Sequence, residues 1–184
     1  YTIPYATSSA LISSPNGMGC IDMTDDLSLG FIGRNGAYPA NQAGRHADLV
    51  IAIGARFDDR SASSWLPGYS WNFPATALIH VDVDHAEIGR NYPPTLGILA
   101  DAGTFLRQVL AELAGREADA NRLSGWLADI GGWRDEWNAF TAPNFEIHTS
   151  PMRPERVVAD CQAVLPADAI ISLDSGIHHN WYMQ

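Results

Sequence analysis

Cysteine is scarce in this chain. Cys20 and Cys161 are the only two among 184 residues, far apart, with no C-x-x-C pair. That argues against a disulfide framework and against a zinc site, and it fits a reducing, cytoplasmic setting. Positive charge is also low. Eleven Lys and Arg face 21 Asp and Glu, for a net charge of −10. Nucleic acid and anionic membranes both need a basic footprint, so neither is expected as a partner. No apolar run reaches the ~18 residues of a membrane span, and the N-terminal stretch lacks a basic-then-apolar signal pattern. The glycines form neither G-x-G-x-x-G nor G-x-x-x-x-G-K-[ST]. No Ser–His or Cys–His constellation and no cluster of metal ligands is evident, so neither a nucleophile nor a metal site is expected.

What is present reads as globular: 46% hydrophobic and 17% charged residues. A chain of this size buries roughly 70% of its unfolded surface, enough for a real core. It suffices for one domain, or one domain and a piece of another. The chain opens on "YTIPYATSSA" without an initiating Met and closes on "GIHHNWYMQ", in what reads as an unfinished helix. A fragment of a longer protein is expected.

Strand and helix signals alternate along the chain. Leu11–Ser14 is a short β-prone run stopped by the turn signal "PNGMG". "SLGFIG" is a second short strand. "AYPANQAGRHA" (Ala37–Ala47) predicts a helix with Pro39 in its first turn. Asp48–Gly54 is a continuous apolar run, the pattern of a strand buried on both faces of a helix-covered parallel sheet. Ala77–Asp84 and Leu96–Asp101 predict two more strands, separated by a short helical turn that Pro93 and Pro94 break.

Asp101 is the expected N-cap of a helix whose Phe105, Leu106, Val109, Leu110 and Leu113 share one face. Leu123, Trp126, Ile130, Trp133 and Trp137 line the next helix, a stripe expected to pack into a core. Asn138–Met152 loses periodicity and reads as a linker. After it come a helix opened by Pro154, a buried strand Ala169–Gly176, and the closing helical run. The alternation predicts an α/β fold: a doubly wound, mostly parallel, Rossmann-like sheet with the beginning of a second α/β domain. The domains are expected at 1–147 and 148–184.

In such sheets ligands bind beyond the carboxyl ends of the strands. "GARFDDR" lies at such an end and packs Arg56, Asp58, Asp59 and Arg60 into five positions. Arg suits bidentate contact with phosphate or carboxylate, and Asp58 can hold a ribose or an Arg. The same charges also suit a self-neutralising surface network worth ~0–1 kcal/mol per exposed pair. The Gly pairs at Gly17–Gly19 and Gly33–Gly36 allow close backbone approach to a ligand, or a plain turn. Adjacent His178 and His179 diverge by about 100° on a helix and cannot share a metal.

Taken together, "SPNGMGCIDMTDDLSLGFIGRNGAYPANQAGRHADLVIAIGARFDDR" resembles the middle domain of thiamine-diphosphate-dependent enzymes of the acetohydroxyacid (acetolactate) synthase type. "IHVDVDHAEIGRN" is similar to that family's next strand and turn. "PERVVADCQAVLPADAIISLDSGIHHNWYMQ" is similar to the start of its C-terminal diphosphate-binding domain.

The resemblance implies a pocket for FAD or an ADP-like ligand at Gly33, Arg34, Asn35, Gly54, Ala55, Arg56, Asp58, Arg60, Asp82, Val83, Asp101 and Ala102. It implies thiamine diphosphate contacts at Gly176, Ile177 and His178. Two departures stand out. Flavin-binding synthases typically carry Met-His where this chain has Arg34-Asn35, and Ile177 replaces the usual Gln. The family's catalytic Glu comes from an N-terminal domain, and Mg²⁺ is held by a later G-D-G…N segment. Neither is in these 184 residues, so no catalytic residue is assigned and the chain alone is expected to be inactive.

The complete enzyme is expected to make or break a C–C bond next to a carbonyl of a 2-oxo acid or diketone. A homodimer or homotetramer is implied. The rival expectations are a nucleotide-binding module without catalysis and a structural spacer. The sirtuin form of this fold carries paired C-x-x-C sites, which are absent here.

Overall fold

The structure, a computed structural model, describes residues 9–116, 119–174 and 176–183. Among the described residues, five strands form two parallel sheets. β1 (Leu11–Ser13) pairs with β2 (Ser28–Phe31). β3 (Leu49–Ile53), β4 (Ala77–Asp82) and β5 (Leu96–Leu99) form the larger sheet in that order. Val50 lies opposite Leu78 and Ala52 opposite His80, so the even-numbered residues of β3 and β4 share one face.

That face builds the core. Ala52 and Leu78 meet Leu29 and Ile32 from the end of β2, and Phe57 and Trp71 from the loop after β3. Helix α1 (Tyr38–His46) closes over them with the buried Ala40 and Ala43. Its Gly44 permits the close approach: a Cβ there would strike the Ile32 side chain and the Ser70 carbonyl. Pro39 sits in the first turn of α1, as its fixed φ allows. Helix α2 (Ala102–Leu113) begins at Asp101, whose carboxylate accepts the Thr104 N–H at 2.9 Å. The long helix α3 (Ala120–Phe145) presents the Trp stripe inward. Ile130 is buried, Trp126 and Trp133 pack against the core, and His46 stacks on Trp133 at 5.5 Å. Helix α4 (Pro154–Val164) opens on Pro154, and α5 (His178–Met183) follows.

The α/β class and the parallel sheets agree with the sequence pattern. Three elements differ from it. Asn138–Phe145 is not a linker but the last two turns of α3. Thr141 Oγ1 donates to the Trp137 carbonyl at 2.9 Å, so its hydroxyl is satisfied within the helix, and Pro143 lies in the last turn. Residues 169–174 form no strand. A strand needs a neighbour to receive its N–H and C=O groups, and none is beside this segment among the described residues. β3 is not buried on both faces. Leu49 and Ile51 on the odd face remain 46% and 48% exposed, because no residue of α2 is buried against them. No helix among the described residues is long and apolar enough to cross a membrane.

Candidate functional site

Parallel strands deliver their carboxyl ends to one rim, and the residues singled out from the sequence gather there. Gly33–Gly36 follows β2, Gly54–Arg60 follows β3, Asp82 and Val83 close β4, and Asp101 and Ala102 follow β5. The first two loops touch. Arg34 N–H donates to the Arg60 carbonyl at 3.1 Å. Gly33, at φ +124°, lies so close to Arg60 and Ser61 that any Cβ would collide with their backbone. The glycine is therefore a steric requirement of the contact between turn and collar.

Buried Asn41 locks this turn. Its Oδ1 accepts the Gly33 N–H at 3.2 Å and its Nδ2 donates to the Gly33 carbonyl at 3.0 Å. Ser70 Oγ donates to the same Oδ1 at 2.6 Å. Sequence reasoning passed over Asn41. Its signal is a polar residue on the Ala40, Ala43 and Gly44 face of α1.

The four charges of "GARFDDR" form no salt bridge with one another among the described residues. Asp58 turns onto the following residues and accepts the Ser61 N–H and hydroxyl, both at 2.8 Å. Partial burial pushes its carboxyl up, but these bonds and the nearby Arg56 charge hold it below the ordinary carboxylate value. Asp59 pairs with Arg34 at 2.7 Å, both half exposed. Arg60 reaches α5, donating through Nη2 to Asn180 Oδ1 at 2.7 Å, with His179 Nδ1 at 3.1 Å. Its buried Nε has no partner among the described residues. Arg56 is exposed on the rim. Asp82 is buried and accepts the Asp84 N–H at 2.9 Å, whereas Val83 beside it is exposed.

The backbone of the collar is held from behind. His80 Nε2 bonds the Ala55 carbonyl at 2.8 Å. Asn91 Nδ2 donates to the carbonyls of Arg56 at 2.9 Å and Phe57 at 3.1 Å. Trp65 Nε1–H donates to the Phe57 carbonyl at 3.0 Å. The Phe57 ring is buried edge-on against Trp71, Phe73, His80 and Tyr92.

A cavity of about 250 Å³ separates the β2 turn from α5. Arg34, Asn35 and Gly36 line one side and Ile177, Asn180 and Trp181 the other. Gly176 leaves room for the His178 imidazole, which a Cβ there would meet at 2.5 Å. Ile177 and His178 are exposed. The exposed Arg56 guanidinium at this rim is of the type that binds an anionic group, and it stands among the carboxylates of Asp58, Asp59 and Asp82. No group of three or more His, Cys, Asp or Glu residues that could hold a metal occurs among the described residues.

Comparison with known proteins shows the family of the chain. The family described as "Thiamine pyrophosphate enzyme, central domain" matches residues 5–109. An acetolactate synthase large subunit of Parasynechococcus marenigrum (strain WH8102) is 34% identical over 168 residues, covering 91% of this chain and 26% of that protein. A probable acetolactate synthase large subunit of Methanocaldococcus jannaschii is 33% identical over 171 residues, covering 90% of this chain and 27% of that protein. The chloroplastic acetolactate synthase of Arabidopsis thaliana is 31% identical over 182 residues, covering 97% and 26%. The chain thus spans about a quarter of the length of these relatives. It belongs to the family of thiamine pyrophosphate enzyme central domains.

Proposed function

We propose that this chain is part of a thiamine-diphosphate-dependent enzyme that forms or cleaves a C–C bond next to a carbonyl, on a 2-oxo acid or diketone. Residues 1–147 are its middle domain and 148–184 open its diphosphate-binding domain. The observation that carries this reading is the match of residues 5–109 to the thiamine pyrophosphate enzyme central domain, together with 31–34% identity to acetolactate synthases along most of the chain. Thiamine diphosphate, with Mg²⁺, would supply a nucleophilic carbon that donates to the substrate carbonyl and a cationic ring that takes up the electron pair released when the neighbouring C–C bond breaks.

The residues of this chain have supporting roles. Gly33, Arg34, Asn35, Gly54, Ala55, Arg56, Asp58 and Arg60 hold the phosphate-bearing part of FAD or ADP, bounded by Asp82, Val83, Asp101 and Ala102. Gly176, Ile177 and His178 border the diphosphate cofactor. The working enzyme is a cytoplasmic homodimer or homotetramer.

The test is turnover. The complete protein with thiamine diphosphate and Mg²⁺ should convert pyruvate, another 2-oxo acid or a cyclic diketone, followed by proton NMR, while the 184-residue chain does not. No turnover of any of these by the complete protein, or turnover by the 184-residue chain, overturns the reading. A second reading, a spacer that binds no nucleotide, rests on the Arg34–Asp59 pair at the turn where flavin-binding synthases typically carry Met-His. Thermal shift with FAD and ADP separates the two: stabilisation by either ligand removes the spacer, and none at millimolar concentration favours it.

A further inference from the structure

We infer that Arg60 is a positioning residue for the thiamine diphosphate segment. From the collar of the middle domain it fixes helix α5, and through α5 the residues Gly176, Ile177 and His178 that border the cofactor. The inference rests on the cofactor reading above and gives Arg60 a task which that reading does not assign.

Guanidinium chemistry fixes the roles in the contact. An Arg side chain has donors only. Arg60 Nη2 stands 2.7 Å from Asn180 Oδ1 and 3.1 Å from His179 Nδ1. Its two protons therefore go to two successive residues of α5. Asn180 must present its oxygen, and His179 Nδ1 must accept, which leaves the imidazole proton on Nε2. Bonds from a charged donor are roughly twice as strong as neutral ones. The Arg60 Nε is buried without a partner among the described residues, which raises the cost of losing the two bonds that Nη2 makes.

The two ends of this contact are held unequally. The Arg60 end is rigid. Its carbonyl accepts the Arg34 N–H at 3.1 Å, Gly33 lies against its backbone, and Asp58 closes the turn by accepting the Ser61 N–H at 2.8 Å. The α5 end has less support. Residues 169–174, which lead toward it, pair with no strand among the described residues, and Ile170 is 97% exposed. The helix has six residues, too few to be stable by itself. It packs on α4, so the Arg60 bonds set its orientation against the middle domain.

From α5 the constraint reaches the cofactor border through the backbone. The His179 N–H donates to the Gly176 carbonyl and the Asn180 N–H to the Ile177 carbonyl, both at 3.1 Å. The two residues that Arg60 holds by side chain thus hold Gly176 and Ile177 by main chain. Asn180 and Ile177 also form one wall of the 250 Å³ cavity opposite Arg34, Asn35 and Gly36, so the same bonds set its width.

The test has two readouts. Calorimetry on the complete protein measures thiamine diphosphate with Mg²⁺ and, separately, ADP. Asn180→Leu should weaken thiamine diphosphate about tenfold, the effect of one lost bond to a charged group, and leave ADP unchanged, because Asn180 is not part of the collar. Arg60→Leu should weaken thiamine diphosphate at least as much. Arg60→Lys keeps a cationic donor and should restore most of the affinity. Imidazole ¹⁵N spectra of the 184-residue chain under mildly alkaline conditions should show His179 protonated on Nε2 alone. Its Nδ1 resonance should move in Arg60→Leu and return in Arg60→Lys. No thiamine diphosphate binding by the unmodified complete protein overturns the cofactor reading and this inference with it. Thiamine diphosphate affinity unchanged in folded Asn180→Leu and Arg60→Leu proteins, or a His179 proton on Nδ1 in the unmodified chain, overturns the role of Arg60 alone.

Discussion

Two apolar runs of this chain end in a glycine and read alike: "DLVIAIG" at 48–54 and "AIISLDSG" at 169–176. The first is a strand with Ala52 in the core and five register partners on β4. The second forms no strand over its described residues, and Ile170 is 97% exposed. Composition does not separate them. A partner edge does, because an extended backbone in a protein interior must place its N–H and C=O groups on a neighbour. The same contrast extends to the loops that follow. The collar after β3 is gripped by His80, Asn91 and Trp65, whereas α5 after the second run touches the collar through Arg60.

The contrast is easiest to break at Phe57. It is the hub of four aromatic contacts, so Phe57→Ala should cost about 3–5 kcal/mol in urea unfolding. A cost under about 1 kcal/mol would mean that the collar is as loosely held as residues 169–174. Gly33→Ala should cost about 1–3 kcal/mol, since its backbone is left-handed and its Cβ would enter Arg60 and Ser61. Gly54→Ala, with open space around it, should cost less, and an equal loss would show that φ alone governs both sites.

Acid should weaken the collar side as well. Asp58 is held below its ordinary value of 3.8 in the folded chain. Its stabilising contribution is complete above that value and is lost as the pH falls through the lower folded value. Unfolding titrations between about pH 5 and pH 2 should show a steeper loss for the unmodified chain than for Asp58→Asn, and identical slopes would discount the Ser61 bonds. The half-exposed Arg34–Asp59 pair should show a coupling of only ~0–1 kcal/mol in a double-mutant cycle. At the small end, Ile170→Ser should change stability by no more than about 0.5 kcal/mol. A larger loss would show that residues 169–174 are packed after all.

Much of the fold was legible because it is encoded locally. The spacing of Trp126, Ile130 and Trp133 located α3 and its inward face, whereas Trp137 farther along stacks on the exposed Phe140. Pro154 and Asp101 marked two helix starts. The end of α3 was not legible, because "NAFTAPNF" is turn-like in composition and the helix runs on through it from the preceding turns. At the rim, the strand-end rule located Gly33 and "GARFDDR" without any contact information. It said nothing of the partner each charge takes. Asn41, His80 and Asn91 escaped notice because their importance lies in which carbonyl or N–H they meet, and those atoms are remote in sequence.

The sequence by itself determined the α/β class, the strands that end at the rim, the glycine turns and the family. These depend on periodicity, turn chemistry and motif spacing, which are short-range properties. Only the tertiary structure decided that Asp58 holds Ser61 rather than an arginine, that Asp59 pairs with Arg34, and that Arg60 spans to Asn180. A charged side chain of this length has several partners within reach along the chain. The one it takes is set by which loops the parallel strands bring to the same rim.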